Sequence, residues 1–101
     1  MRAGLYFLLD AMTYQTPQQE KLAELILVLL GQRRAGASIC PSDAARAYAA
    51  SNDLDDWRSL MEPTRDTARI LALQGIIAVT QKGRALQADE PWRGAIRLRL
   101  A

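Results

Sequence analysis

The sequence predicts a mainly α-helical α+β fold, a winged helix-turn-helix with a three-helix core and a C-terminal antiparallel β-hairpin as the wing. Three observations support this prediction. Apolar residues recur at helical spacing through most of the chain, proline and glycine mark the helix ends, and the hydrophobic period becomes two after Gly75. A length of 101 residues fits one domain with one core.

The patterns divide the chain into two parts. In residues 1–15, leucine and methionine side chains repeat at helical spacing, so this segment is expected to be an N-terminal extension or a short helix. Residues 16–101 are predicted to form the winged-helix domain. The longest apolar run, residues 25–30, is far shorter than the ~20 residues that cross a membrane. No small-residue cleavage site follows the first apolar stretch, so no signal peptide is expected.

The first helix of the domain has the strongest signals. Thr16 is the expected N-cap, Pro17 occupies the first helical position, and Gln19 completes a capping box. Gly36 is predicted to end the helix, after two arginines that suit its C-terminal end. The apolar face is formed by Leu22, Leu25, Ile26, Leu29 and Leu30.

Two prolines are predicted to open the second and third helices. Pro41 begins the second helix after a short strand fragment, with Cys40 or a neighbour as its cap. Pro63 begins the third helix, which is predicted to stop at Gly75. The inward positions of these helices are predicted to be Ala44, Ala45 and Tyr48, then Thr64, Ala68, Leu71 and Ala72.

The C-terminal region has the alternation typical of strands. Ile77 and Val79 are predicted to face the core, and a Lys-Gly-Arg turn at residues 82–84 follows them. The tail alternates most clearly, with inward Ile96, Leu98 and Leu100 and outward Arg97 and Arg99. These strands are the predicted hairpin.

The residue inventory argues against catalysis and against bound cofactors. The chain has no histidine, so it lacks Ser-His and Cys-His pairs, and one cysteine without histidine excludes a structural zinc site within one chain. No glycine-rich phosphate loop is present. We therefore expect no enzyme activity, no metal, no cofactor and no small-molecule ligand. Lone Cys40 also excludes an internal disulfide and fits a reducing cytoplasm.

Four segments carry a resemblance to a known family. They are "ICPSDAARAY", "DWRSLMEPTRDTAR", "VTQKGRAL" and "RGAIRLRL", and the similarity runs from about Leu22 to the end of the chain. They resemble the bacterial family described as domain of unknown function 3253. The chain departs from the family pattern in the "AASNDL" insertion, in apolar Ile70 and in the N-terminal "LYFLLDAM". The resemblance implies a small winged-helix-like bacterial protein and implies no activity.

Charge distribution suggests a DNA-binding, transcription-related function. The formal net charge is only +2, but residues 1–56 carry −2 and residues 57–101 carry +4. In a winged helix, arginines on the third helix and at the turn would meet the groove and backbone of double-stranded DNA. The candidate contacts are Arg58, Arg65, Arg69, Lys82, Arg84, Arg93, Arg97 and Arg99.

A protein-interaction or oligomerisation module is the alternative, because arginines at exposed positions are often only solvated. The third helix also lacks the Asn and Gln side chains that typically read base edges. Apolar residues at surface-prone positions would then contact a second copy of the chain or another protein. The candidates are Leu5, Leu8, Ile70, Leu73 and Trp92, although Trp92 is also expected to pack over the hairpin.

Overall fold

A computed structural model describes residues 14–101. In this part of the chain the elements are α1 (Pro17–Gly31), β1 (Ser38–Ile39), α2 (Pro41–Ser51), a 3₁₀ turn (Trp57–Leu60), α3 (Met61–Leu73), β2 (Ile77–Gln81), β3 (Arg84–Ala85) and β4 (Arg97–Leu100). Three helices with a small antiparallel sheet confirm the predicted α+β class. The predicted N-terminal helix, with Leu5 and Leu8, lies outside the described residues.

Helix α1 begins where the capping signals predict. The Thr16 hydroxyl accepts a hydrogen bond from the Gln19 amide at 3.0 Å, and the Gln19 side chain accepts one from the Gln15 amide at 2.9 Å. The predicted end at Gly36 is wrong, because the helix stops at Gly31. The intervening residues turn toward β1, with Gly36 at a φ of 82°, so its left-handed conformation shapes that turn and not the helix cap.

Nine residues, 52–60, connect the second and third helices, and the last four of them form the 3₁₀ turn. Helix α2 begins after Cys40, whose amide donates to the Asp43 carboxylate at 2.9 Å. Helix α3 begins at Met61 and not at the predicted Pro63, because the preceding 3₁₀ turn continues directly into it. Pro63 remains within the first helical turn, where its missing N–H leaves no hydrogen bond unmade.

The sheet has the strand order β1-β4-β2-β3, with every pair antiparallel. Lys82 and Gly83 join β2 to β3 with φ angles of 51° and 81°, the left-handed pair that suits a two-residue hairpin. The C-terminal strand β4 enters between β1 and β2, so the turn at residues 82–84 leads to β3 before the chain returns to the sheet. The predicted hairpin is therefore part of a four-stranded sheet.

One face of the sheet packs on the helices. Ile39, Val79 and Leu98 are buried there together with core residues of α1 and α3. Leu100 was predicted to face inward with them, but it is 48% exposed. It pairs with Ile77 in the last register of the β2–β4 pair, but β1 pairs with β4 only as far as Arg99, so no strand flanks Leu100 on its other side.

The arrangement is compatible with a winged helix: a helix and a short strand precede two helices joined through a 3₁₀ turn, and two longer strands follow them. No helix of the described residues is long and apolar enough to cross a membrane.

Candidate nucleic-acid interface

A basic groove lies beside the β2–β3 turn. Its volume is about 660 Å³, and it is lined by Gln81, Lys82, Arg84, Arg93, Gly94, Ala95, Ile96 and Arg97. The four cationic side chains belong to exposed residues, and no acidic residue lines the groove. Three separate segments contribute these cations: the β2–β3 turn with the first residue of β3, the loop before β4, and β4 itself. We call this feature the basic groove.

The charges of the basic groove are not neutralised by ion pairs. Within residues 14–101, the ion pairs are Lys21–Glu24 at 3.1 Å and Arg33–Asp43 at 3.8 Å, and neither involves a groove residue. Arg97 does have polar partners, because its guanidinium donates to the Ser38 hydroxyl at 3.0 Å and to the Ser38 carbonyl at 3.1 Å. These contacts fix the Arg97 side chain and leave its charge uncompensated.

The Gln81 side chain joins the two walls of the groove. Its amide nitrogen donates to the carbonyls of Arg93 and Ala95, the second at 3.2 Å. Gln81 is the last residue of β2 and immediately precedes Lys82. The turn that carries Lys82 and the segment that carries Arg93 are therefore connected by hydrogen bonds.

The outer face of the sheet extends the basic surface. Arg97 and Arg99 are both exposed, as predicted, and their register partners are Ser38, Ala78 and Thr80. Small neighbours leave the two guanidinium groups accessible. Because Arg97 and Arg99 are two positions apart on one strand, their Cα atoms lie about 7 Å from each other.

Arg65 and Arg69 occupy a different position from the predicted one. They were expected on the exposed face of α3, but both are half-buried beneath the loop that precedes β4. Arg65 donates to the carbonyls of Trp92 at 2.9 Å and Gly94 at 2.9 Å. Arg69 donates to the carbonyls of Ala88 and Glu90, the second at 3.0 Å.

The exposed residues of α3 are therefore not the arginines. They are Glu62, Asp66 and Leu73, two carboxylates and one apolar group. A helix that presents carboxylates is poorly suited to approach a phosphate backbone, because like charges repel. The cationic surface lies on the sheet side of the molecule instead.

The described candidates for a protein-contact surface differ in their exposure. Trp92 is only 8% exposed, with its indole N–H donating to the Gln87 carbonyl at 2.9 Å, so it packs as a core residue. Ile70 is half-buried against the core. Leu73 is 60% exposed and remains accessible.

Arg58 lies apart from the basic groove, over the ring of Trp57. Its guanidinium carbon is 4.5 Å from the ring centroid, and that of Arg46 is 4.4 Å from the same centroid. Arg46 had no signal in the sequence, because its contact with Trp57 depends on how α2 packs against the 3₁₀ turn. Gln81 was missed for the same reason, since its partners lie 12 and 14 residues further along the chain.

Cys40 is a half-buried free thiol at the start of α2, where its sulfur accepts a hydrogen bond from the Ser42 hydroxyl at 3.1 Å. Among residues 14–101, no three acidic or cysteine side chains come together as metal ligands would. These features supply no second candidate site.

Comparison with known protein families identifies this chain's family. The family described as Protein of unknown function (DUF3253) matches residues 19–101, which include every described element except the first two residues of α1. No curated protein matches the chain. The match covers most of the sequence and includes the segments on which the resemblance was based. The chain is therefore a member of the DUF3253 family.

Proposed function

We propose that this protein is a non-catalytic winged-helix domain that binds double-stranded DNA through its phosphate backbone, independently of sequence, in a role related to transcription. The observation that carries the proposal is the basic groove, with Lys82, Arg84, Arg93 and Arg97 in its lining and no carboxylate among them. Lysine and arginine contacts to phosphate supply most of the affinity of sequence-independent binding. Arginine also matches phosphate geometry through paired N–H donors.

The surroundings of the groove favour a duplex over a single strand. Proteins that hold single strands stack bases on aromatic side chains, and the outer sheet positions next to the groove carry Ser38, Ala78 and Thr80. These small residues offer no stacking platform. Contacts to phosphates position a protein on DNA without reading its bases, which agrees with the absence of exposed Asn or Gln side chains on α3.

The proposal assigns no reaction to the chain. The sequence has no histidine, and the groove brings together cations without a nucleophile or a paired acid and base. A cytoplasmic location belongs to the same proposal, because a chain with one cysteine suits a reducing compartment.

Fluorescence anisotropy tests the proposed function. The purified protein is titrated into two labelled duplexes of about 30 bp and unrelated sequence, at about 50 and 200 mM salt. We expect similar affinities for both duplexes and a large loss of affinity at the higher salt. An absence of binding at the lower salt concentration would overturn the proposal.

A protein partner is the second candidate, and the exposure of Leu73 is the observation that favours it. Leu73 is 60% exposed at the end of α3 and lies beside a shallow pocket with Gln15, Gln19 and Ile70. Under this alternative, Leu73→Ser would lower the mass of an oligomer in solution by light scattering. A monomeric parent protein with an unchanged variant would exclude self-association through this residue.

A further inference from the structure

The loop between β3 and β4, residues 86–96, is held on α3 by side chains. Carbonyls of alternate loop residues accept hydrogen bonds from two arginines, with Arg69 bound to residues 88 and 90 and Arg65 bound to residues 92 and 94. Hydrogen bonds from an ionised donor belong to the stronger class. Two side chains of one helix therefore fasten most of the length of this loop.

Trp92 adds an apolar contact to the same attachment. Its ring lies under the Arg69 guanidinium, 4.1 Å from ring centroid to guanidinium carbon, and its indole N–H binds the Gln87 carbonyl at 2.9 Å. On the opposite side, Gln81 binds the carbonyls of residues 93 and 95. The loop segment that contains Arg93 is thus fixed from both α3 and β2.

We propose that Arg65 and Arg69 are positioning residues: they hold the β3–β4 loop so that Arg93 joins Lys82 and Arg84 in the basic groove, and they do not contact DNA. This inference rests on the proposed function and deepens it, because it assigns the DNA contacts to the groove. The duplex then lies against the sheet side of the domain, and α3 stays outside the major groove.

The inference follows from the existing hydrogen bonds of the α3 arginines and from the acidic residues beside them. Arg65 uses both terminal nitrogens on loop carbonyls, so its planar fork is already occupied. Glu62 and Asp66 are the exposed neighbours of the two arginines along α3, and a phosphate brought to this face would meet their carboxylates. The groove has no such carboxylate in its lining.

Two double variants separate positioning from direct contact. Arg65→Lys with Arg69→Lys keeps both charges, but an ammonium lacks the planar fork that spans two carbonyls. Arg65→Gln with Arg69→Gln removes both charges. If the arginines position the loop, both variants should lose the phosphate contact of Arg93. DNA binding should then weaken similarly in both, by about tenfold at about 50 mM salt, because one phosphate contact contributes about that much. If the arginines touch phosphates, the lysine variant should bind nearly as the parent does.

Two further readouts follow the loop without DNA. Trypsin cleavage after Arg93 reports release of the loop, and cleavage after Arg46, in the middle of α2, is the internal control for global unfolding. Loss of even one hydrogen bond from a charged donor should accelerate cleavage after Arg93 about tenfold or more. In a Trp57→Phe background, quenching of Trp92 fluorescence by acrylamide should rise in both variants, because the ring loses the Arg69 guanidinium that covers it.

Two results would overturn the inference. A lysine variant that binds DNA like the parent, beside a glutamine variant that does not, overturns it, as does a loop that stays protected from trypsin in both variants. If the parent protein binds no DNA, the proposed function fails, and cleavage after Arg93 with Trp92 quenching still decides whether the arginines fasten the loop. If a double variant fails to fold in a thermal melt, Arg65→Lys alone is used, since it releases only residues 92 and 94.

Discussion

Replacing Lys82 and Arg84 by alanine removes two of the four cations that line the basic groove. Both residues are exposed, and neither belongs to an ion pair within residues 14–101. Surface substitutions of this kind usually change stability by no more than about 0.5 kcal/mol. The folded structure should therefore persist, and the change is expected in DNA binding alone.

Counterion release sets the expected magnitude. Each phosphate contact contributes about 0.9 to the slope of log affinity against log salt, so four contacts give a slope of about −3.6 and two give about −1.8. Between about 50 and 200 mM salt, the affinity of the parent should fall about 150-fold and that of the variant about 12-fold. The variant should also lose affinity equally for duplexes of different sequence, because phosphate contacts carry no sequence information.

Fluorescence anisotropy with a labelled duplex of about 30 bp measures both slopes. The matched control replaces Lys21 and Arg34 by alanine, two exposed residues in α1 and in the turn after it that lie outside the groove lining. Each double variant lowers the formal net charge from +2 to zero. A control that flattens the slope as much as the groove variant would refute the assignment, because total charge would then account for the salt dependence.

Two predictions concern stability. Leu98→Ala should lower the free energy of unfolding in urea by about 2–5 kcal/mol, because this fully buried side chain lies in strand β4 between β1 and β2. An unchanged midpoint of urea unfolding would contradict the place of Leu98 in the core. Burial raises the pKa of the Tyr14 hydroxyl, and Glu20 raises it further, so the folded state holds the phenol proton more strongly than the unfolded chain. Wild-type stability should therefore fall once the pH exceeds about 10, the pKa of an unfolded tyrosine, and Tyr14→Phe should lose less stability between about pH 9 and 11 in the same urea assay. Equal losses in the two proteins would count against this explanation.

Local signals in the sequence predicted the elements well. Thr16 and Pro17 marked the start of α1, and the alternation of Ile77 with Val79 and of Ile96 with Leu98 identified the buried face of the sheet. These features depend on residues only a few positions apart, so their physics is visible in the sequence. Leu100 followed the same alternation and was predicted wrongly, because exposure also depends on which strands flank a residue.

The candidate site was only partly predictable. The exposed cations Lys82, Arg84 and Arg97 were identified from the turn and the strand pattern, and they now line one groove. The positions of Arg65 and Arg69 could not be inferred, because their partners are carbonyls 19 to 29 residues further along the chain. A long arginine side chain at a surface-prone helix position can be solvated or can bind a distant loop, and only tertiary packing decides which.

An NMR titration of the ¹⁵N-labelled protein with an unlabelled duplex tests the central claim most directly, since it locates the binding surface residue by residue. We expect the backbone amides of residues 81–84 and 93–97 to shift on addition of DNA, while those of Glu62 and Asp66 stay unchanged. Shifts concentrated on the exposed side of α3, with the β2–β3 turn unaffected, would contradict the account.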